Sequence, residues 1–478
     1  MTEAQSAVKE RYDAVVIGAG SGGLTVAVGL STLGKSVALV EADQIGGDCT
    51  NVGCIPSKSL LHHSREHLNQ TSSSREVLST VRARRDNLRE TERHEFGEMD
   101  RIDLIFGRGK LSSATTVSIT QKNQSSEFSK TITADNIIIS TGARPRPVPI
   151  DGLPPERYLT NETFFEQPEL PKNLVILGGG PIGLEMAVAS LDLGSNVTVL
   201  EGARDLLGTL PPKIGKAVTD SLQEQGIVVK TDTTAKTFDP NTRSLTIGPI
   251  DGAATDSIDD VDAVLVAVGR VPNSDGLGLE SVGVKTERGF VSTDRKGRTN
   301  IKSIWAVGDV TTRSRTTHGA NAWGRRVIKA IAFPYMPTSS DPIIPTAIFT
   351  RPEVASIGDH PEKVTDDINR LELDLSTIDR AYTDEVSHGV MIVDVRRLSG
   401  TVLAVTIVGP RAGELIGVAS LAMTAGLPLH KWYPTVWAYP TYSGAFGKIV
   451  DMYMSETLTN IKLESKRWFG GLARRWRT

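Results

Sequence analysis

Two similar stretches of apolar and polar positions dominate the first half of the chain. Each begins with a short apolar run, Ala14–Ile17 or Leu174–Leu177, continues with a helical pattern, and closes on a second apolar run. Those second runs end in Glu41 and Glu201. Short apolar runs bounded by glycine are typical of buried parallel strands. Each stretch therefore predicts a β-α-β unit.

The two stretches form an internal repeat without gaps, because Gly178 follows Gly18 by 160 residues and the other glycines keep that offset. The matched positions are Gly18, Gly20, Gly23, Gly34 and Glu41 in the first copy and Gly178, Gly180, Gly183, Gly194 and Glu201 in the second. The three leading glycines of each copy permit a tight turn, close approach to a pyrophosphate and close helix-strand packing. A carboxylate about 20 residues on can hold ribose hydroxyls. Two copies imply two bound dinucleotides.

The remaining patterns differ from this repeat. From about Asp341 onward, alternating stretches at 390–395 and 401–408 predict half-buried strands of an α+β domain. The stretch Arg65–Arg101 carries Arg and Glu at helical spacing, which predicts a solvated helical excursion. A length of 478 residues suits about three domains.

Composition narrows the class of protein. A net charge of -3, from 53 basic and 56 acidic side chains, gives no reason to expect a nucleic-acid partner. The chain has no run of eighteen apolar residues, and its N-terminus lacks the apolar core of a signal peptide, so we expect a cytoplasmic protein. The chain has two cysteines. Because the cytosol keeps ordinary thiols reduced, a disulfide between these two would be catalytic.

Those cysteines, Cys49 and Cys54, lie in the string GGDCTNVGCIPSK from Gly46 to Lys58. A spacing of five does not bring two side chains face to face on a regular helix. Because Gly53 lies between the cysteines, directly before Cys54, we expect the pair to straddle a loop and the start of a helix. Two thiols alone are too few for a metal site, and we expect no metal ligands. An inert buried pair is the other alternative to a redox-active one.

In order along the chain, the motifs resemble those of the pyridine-nucleotide disulfide oxidoreductases, which include dihydrolipoyl dehydrogenase, glutathione reductase and mercuric reductase. The resemblance implies cofactor-binding roles for a set of positions spread over the first 320 residues. They are Gly18, Gly20, Gly23, Glu41, Gly47, Thr141, Gly142, Gly178, Gly180, Gly183, Glu201, Gly269, Arg270, Asp309, His318 and Ala320.

By that resemblance the fold is α/β, with two Rossmann-like doubly wound dinucleotide-binding domains and a C-terminal α+β dimerisation domain. It implies FAD on residues 1–150 and 271–340, NAD(H) on 151–270, and a homodimer interface within 341–478. NADP(H) is an alternative, although a carboxylate at Glu201 favours NADH because it repels an extra phosphate.

The resemblance also implies the catalytic residues. Cys54 would lie against the flavin as the charge-transfer thiolate, and Cys49 would exchange with the substrate. Lys58 and Glu185 match the family's ion pair near the reactive nitrogen of the flavin, where a cation stabilises charge on the reduced ring.

One departure from the family concerns the acceptor. The family's disulfide reductases place a His and a Glu where this chain has Tyr439 and Gly444. A tyrosine, with a pKa of about 10, is a poor base at neutral pH, and losing an acid-base group costs about 10²- to 10⁴-fold. We therefore expect a small-molecule acceptor that does not depend on this acid-base pair, either a thiophilic metal ion that binds the thiolates directly or a quinone that is reduced at the flavin itself. A dihydrolipoyl dehydrogenase with altered acid-base groups and a flavin-bound redox sensor are the alternatives.

The C-terminus carries a basic amphipathic pattern. The segment from Lys462 to Thr478 contains six basic side chains and only one acidic one, and its apolar residues recur at helical spacing. Such a segment can contact anionic lipid, but Gly470 and Gly471 interrupt it. Packing against the protein itself is the favoured interpretation, and peripheral membrane contact is the alternative.

Overall fold

A computed structural model describes residues 9–67, 73–123, 126–313, 315–337 and 339–456. The predicted basic segment at 462–478 lies outside these residues. Among the described helices, none has the length and apolar character needed to cross a membrane. The chain divides into two compact units, one made of Met1–Gly202 and Thr233–Pro342 and the other of Ala203–Asp232 and Ile343–Thr478.

The elements follow one another in three stretches. Up to residue 145 they are β1 (Arg11–Ile17), α1 (Ser21–Thr32), β2 (Val37–Glu41), α2 (Gly47–Asn51), α3 (Cys54–His67), α4 (Ser74–Gly97), β3 (Ile102–Phe106), β4 (Arg108–Leu111), β5 (Thr116–Asn123), β6 (Ser126–Ile139) and β7 (Ala143–Pro145). Up to residue 332 they are α5 (Asn161–Phe164), β8 (Asn173–Leu177), α6 (Pro181–Asp192), β9 (Asn196–Leu200), α7 (Pro212–Glu224), β10 (Val228–Lys230), β11 (Thr234–Asp239), β12 (Ser244–Gly248), β13 (Asp256–Ile258), β14 (Ala263–Val266), β15 (Arg270–Pro272), α8 (Leu279–Val282), β16 (Thr286–Glu287), β17 (Phe290–Val291), β18 (Ile304–Ala306) and α9 (Thr317–Ala332). The last are β19 (Thr346–Ile348), β20 (Glu353–Gly358), β21 (Ile368–Asp374), α10 (Asp379–Thr383), β22 (Val390–Arg396), β23 (Val402–Gly409), α11 (Ala412–Thr424) and a helix from 444 to 456, where the described residues end.

The first copy of the repeat forms a parallel sheet. Its strands lie in the order β3-β2-β1-β6-β18, and β5 and β4 extend it antiparallel beyond the first half of β6. The central strand is buried along Val15–Ile17, as its uninterrupted apolar run predicts. Helix α1 packs against α9, which joins residues far apart in sequence into one domain.

The second copy repeats this arrangement with strands in the order β9-β8-β14, all parallel. Its helix α6 is buried along most of its length and packs against α3, which follows the first copy along the chain. The predicted β-α-β units are thus both present, and the contact between α3 and α6 connects the cysteine-bearing segment to the second copy.

The C-terminal unit contains a five-stranded antiparallel sheet in the order β19-β20-β23-β22-β21. Helix α11 and the helix at 444–456 contribute apolar side chains to its core, among them Ile416, Phe446 and Ile449. This is the α+β architecture that the alternating patterns predict.

The expected half-burial of β22 and β23 is wrong. Their alternate polar positions predicted a solvated face, yet Asp394 and Thr406 are both 0% exposed. They are satisfied internally, because Nδ1 of His360 is 2.6 Å from Asp394, Nε2 of His360 is 2.8 Å from Thr406, and Arg370 donates to both oxygens of Asp394. A buried ion pair with matched hydrogen bonds can thus replace solvent on a sheet face.

Most of the described part of the Arg- and Glu-rich stretch is helical, as predicted, but it is only partly solvated. Helix α4 begins with a capping box between Ser73 and Glu76. One of its arginines, Arg85, is buried and pairs with Asp86 and Glu166, while Val77 and Leu78 face the interior. The helix therefore packs on the unit through one face.

We predict that Gly23→Ala destabilises the chain by at least about 1–3 kcal/mol, because a Cβ at Gly23 would lie 2.0 Å from the carbonyl oxygen of Gly18. Gly97→Ala, at the end of α4, is the matched control, since nothing lies within 4 Å of its added Cβ. Urea unfolding followed by tryptophan fluorescence measures both variants. Equal midpoints for the two would show that the close approach of α1 to β1 is not required.

Candidate active site

The first fingerprint forms a turn that only glycine fits. Gly18 has a φ of +103°, and a Cβ there would lie 2.5 Å from the carbonyl oxygen of Ser140. The turn leads into α1, whose first N–H groups lack side-chain caps and can face a phosphate. One oxygen of Glu41 accepts from the backbone N–H of Ala19 at 2.7 Å, and burial raises the pKa of this carboxyl. Glu41 thus holds the turn from the end of β2.

The second fingerprint has the same geometry. Gly178 has a φ of +109°, and a Cβ on Gly183 would lie 2.0 Å from the carbonyl oxygen of Gly178. Glu201 accepts from the backbone N–H of Gly179 at 2.7 Å, as Glu41 does in the first copy. Among the residues that the structure describes, no atom lies within 4 Å of a Cβ added to Gly180, so the space beside that glycine can admit a ligand.

Two segments that lie far apart in sequence, β7 and β15, pair with each other. Strand β7 pairs antiparallel with β15, and Thr141 donates to the carbonyl of Asn273 at 2.6 Å. Asn273 in turn donates its backbone N–H to Gly142 at 3.0 Å. Gly142 and Gly269, at the turns beside these strands, have φ values of +69° and +112°. The predicted cofactor residues 141, 142, 269 and 270 are therefore brought together.

Arg270 connects this strand pair to the cysteine box. Its guanidinium pairs with Asp48 on α2 and lies 3.5 Å from Asp309. Burial raises the pKa of Asp309, and the nearby Arg270 opposes that rise. Gly47 packs so tightly that a Cβ on it would lie 2.7 Å from the Cα of Gly20. The cysteine box thus rests directly on the first fingerprint.

Cys49 lies within the short helix α2, and Cys54 is the first residue of α3. Both are free and partly buried. The Sγ of Cys54 lies 3.5 Å from Oγ1 of Thr317, in the first turn of α9. Three helix ends therefore meet at the thiols, which agrees with the expectation that Gly53 separates the pair at a helix start.

The two thiols share their protons unequally. The hydrogen bond from Cys49 lowers the pKa of Cys54 to about 5, with help from Thr317 and Lys58 and against the opposing effect of burial. The same hydrogen bond, together with burial, raises the pKa of Cys49. In the reduced protein at neutral pH, Cys54 is therefore a thiolate and Cys49 a thiol.

Lys58 and Glu185 form a close ion pair between α3 and α6. The Nζ of Lys58 lies 2.9 and 2.7 Å from the two carboxylate oxygens of Glu185. Glu185 is only 5% exposed in its side chain, whereas Lys58 is 37% exposed. The buried carboxylate therefore fixes the position of the ammonium group one turn along the helix from Cys54.

Two predicted positions on α9 differ in environment. Ala320 is buried, and a Cβ added to Gly22 of α1 would lie 3.5 Å from its methyl group. His318 is exposed beside Thr317. Ala320 thus sets the spacing of α9 from the first fingerprint, while His318 lies at the outer edge of the thiol site.

Tyr439 and Gly444 belong to the other unit. Tyr439 is 80% exposed, and its hydrogen bond with Asp379 raises the pKa of the phenol above its ordinary value. Within the described part of the chain, no atom lies within 4 Å of a Cβ added to Gly444. Tyr439 therefore stays protonated at neutral pH, in keeping with the expected loss of a base at this position.

Sequence reasoning missed two residues of this site. Thr317 contacts the Cys54 sulfur, and Asp48 pairs with Arg270. Both residues are adjacent in sequence to predicted site residues, since Thr317 directly precedes His318 and Asp48 directly precedes Cys49. That adjacency was the available signal. Only the fold, however, brings α9 and β15 to the cysteine box.

The residues present fit two dinucleotides. Each glycine turn leaves backbone N–H groups at a helix start, and a carboxylate is held beside each one. The first cradle adjoins the thiol pair through the contact of Gly47 with Gly20, as a relay between a bound flavin and a disulfide requires.

Comparison with known proteins agrees with this site. A family model described as pyridine nucleotide-disulphide oxidoreductase matches residues 12–324, and the dimerisation domain of the same family matches residues 344–450. The chain therefore belongs to the pyridine nucleotide-disulphide oxidoreductases. It is an FAD-dependent enzyme that uses NAD(H), with the predicted α/β fold and a dimerisation domain that supports a homodimer.

Individual relatives fall into two groups. The chain is 31% identical over 446 residues to a dihydrolipoyl dehydrogenase of Geobacillus stearothermophilus, covering 90% of this chain and 93% of the relative. A dihydrolipoyl dehydrogenase of Chlamydia trachomatis is 31% identical over 459 residues, covering 91% and 95%. Among solved structures, the Cu(II) complex of the HOCl-induced flavoprotein disulfide reductase RclA from Escherichia coli has a TM-score of 0.82 at 26% identity, covering 93% of this chain and all of that one.

We predict that Gly20→Ala and Gly180→Ala separate the two cofactor sites. Neither added Cβ meets a protein atom closer than 3.8 Å, so both variants should fold. Gly20→Ala should lower FAD content, and Gly180→Ala should raise the KM for NADH at least about tenfold with FAD retained. FAD absorbance and steady-state kinetics measure these effects, and each variant is the control for the other. An unchanged KM in Gly180→Ala would remove this glycine from the NADH site.

Thr317→Val should raise the pKa of Cys54, because it removes one of the hydrogen bonds that stabilise the thiolate. In the reduced holoenzyme, long-wavelength absorbance from the thiolate beside FAD should appear as pH rises through about 5. The variant should shift this midpoint upward by up to about one unit. Thr25→Val is the control, since its hydroxyl contacts Asn321 rather than a thiol. A midpoint that is the same in all three proteins would contradict the role of Thr317.

Proposed function

We propose that this enzyme uses NADH to reduce a thiophilic metal ion, Cu(II), through the Cys49-Cys54 pair. The observation that carries the proposal is the combination of a ready thiolate at Cys54 with a protonated, exposed tyrosine at 439. A thiolate binds a soft metal ion without any proton transfer. A disulfide or dithiol substrate, in contrast, needs a group that moves protons.

The solved relatives support the choice of metal. The RclA structure of Escherichia coli was determined as a Cu(II) complex, and that chain is similar to this one over almost its whole length. Copper is reduced to Cu(I), which prefers sulfur ligands. Two cysteines with unequal protonation offer one charged ligand at once and a second after one proton is lost.

The electrons balance with copper as the substrate. One NADH provides two electrons and reduces two Cu(II) ions, giving NAD⁺, H⁺ and two Cu(I). The chemistry that bound FAD would supply is two-electron transfer between NADH and the Cys49-Cys54 disulfide. Gly18, Gly20, Glu41 and Asp309 would hold FAD, and the Lys58-Glu185 pair would place a positive charge beside it.

Among residues of this chain, Cys54 is proposed as the thiolate next to the flavin and Cys49 as the thiol that meets the ion. Thr317 is proposed to help stabilise the negative charge on Cys54, while the hydrogen bond between the two thiols and burial keep the proton on Cys49. Glu201 is proposed to bind the ribose of NADH and so to disfavour NADPH.

Dihydrolipoyl dehydrogenase activity is the second candidate, because the relatives at 31% identity carry that name. It requires an acid-base group for the thiols of the substrate. At the position of the family's histidine this chain has Tyr439, and Gly444 offers no carboxylate. Copper reduction needs neither group, and this difference separates the two activities experimentally.

The test compares Cu(II), lipoamide and a quinone as acceptors at fixed NADH. We expect Cu(I) formation, trapped by a Cu(I)-specific chelator, to be lost by at least about 10²-fold in Cys49→Ser with FAD content unchanged. Lipoamide turnover should be weak, and Tyr439→His with Gly444→Glu should raise it more than Tyr439→His alone. His388→Ala, an exposed histidine, is the surface control.

Three results would reject the proposal. Strong lipoamide turnover in the unmutated enzyme would favour the dehydrogenase. Quinone reduction that survives Cys49→Ser, with no thiol-dependent Cu(I), would favour an acceptor at the flavin. Slow flavin reduction by NADH with retained nucleotide binding would favour a redox sensor.

A further inference from the structure

Away from the thiols, helix α3 carries three potential metal ligands on one turn. They are His62, His63 and Glu66, whose ligand atoms all lie within 4.8 Å of one another. The Nε2 of His62 is 3.4 Å from one oxygen of Glu66, and the Nδ1 of His63 is 3.2 Å from the other. The carboxylate thus bridges two imidazoles.

Helical geometry explains this grouping. Glu66 is four residues after His62 and three after His63, the two spacings that place side chains on a common face. The Nε2 of His63 is buried without a hydrogen-bond partner among the described residues, so this ring presents its Nδ1 toward Glu66. His62 and Glu66 are 58% and 51% exposed in their side chains. An ion from solvent therefore has direct access.

Helix α3 is a firm base for such a site. It packs against α4 and α6. Ser64, the residue after His63, is fully buried, and its hydroxyl lies 3.4 Å from a carboxylate oxygen of Asp192 on α6. A backbone held in this way limits the movement needed to bring three ligands onto one ion.

We propose that His62, His63 and Glu66 bind one divalent late transition-metal ion, with Cu(II) held more tightly than Zn(II). Two imidazole nitrogens and one carboxylate suit both ions, and the stability order of divalent metals places Cu(II) above Zn(II). Water would complete the coordination. The expectation of no metal ligands rested on the two cysteines alone, and these three residues depart from it.

This site is separate from the thiol pair. His62 lies eight residues after Cys54, which corresponds to a rise of about 12 Å along the helix. An ion held there has its own ligands and does not contact the sulfurs. The proposal therefore does not depend on which acceptor the enzyme reduces.

The experiment uses tag-free holoenzyme with Cys49 and Cys54 oxidised to the disulfide, so that the thiols are not available as ligands. Calorimetric titration with Zn(II), which is not reduced, should show one site per chain. Electron paramagnetic resonance with one equivalent of Cu(II) should show nitrogen coupling from imidazole. His62→Ala and Glu66→Gln should each weaken Zn(II) binding at least about tenfold, and His62→Ala, which removes one imidazole ligand, should also simplify that coupling.

His388→Ala is the matched control, because His388 is exposed and its Nε2 lies 3.6 Å from a single carboxylate, Glu224. It should leave Zn(II) binding unchanged. FAD content and circular dichroism confirm folding of the variants, which is expected because His62 and Glu66 are at the surface. The absence of a site in the unmutated protein, or equal Zn(II) affinity in His62→Ala, would overturn the proposal. Loss of Cu(II) reduction alone would leave it standing.

Discussion

The close contact between a strand and the helix that follows it is the constraint on which the rest of this structure depends. In both copies of the repeat, the third glycine lies so near the carbonyl of the first that an added Cβ would be 2.0 Å away. This contact points the start of α1 or α6 at the space where a pyrophosphate binds. Glu41, the last residue of β2, and Glu201, which directly follows β9, then hold the turns from the side.

The redox pair is built on the first of these turns. Because Gly47 packs against Gly20, α2 begins at the fingerprint and carries Cys49 with it. Helix α9 packs on α1 and brings Thr317 to the sulfur of Cys54. The uneven protonation of the thiols therefore follows from the packing of helices on one sheet.

The sequence predicted the elements whose signal is local and repeated. Both β-α-β units, the α+β character of the last part and the position of Cys54 at a helix start follow from glycine spacing and apolar runs. The contacts of Thr317 and Asp48 could not be predicted in this way, because their partners are more than 200 residues distant in sequence. The burial of Asp394 was missed because alternation of apolar and polar residues does not show whether a polar side chain meets water or another charge.

The proton that the reduced thiol pair holds determines how the reduction potential of the Cys49-Cys54 disulfide varies with pH. Between the pKa of Cys54, about 5, and the raised pKa of Cys49, opening the disulfide takes up two electrons but only one proton. The reduction potential of the pair should then fall by about 30 mV per pH unit, half the slope of a couple that takes up one proton per electron. Near neutral pH, the reducing power available to an acceptor is thus only weakly sensitive to changes in acidity.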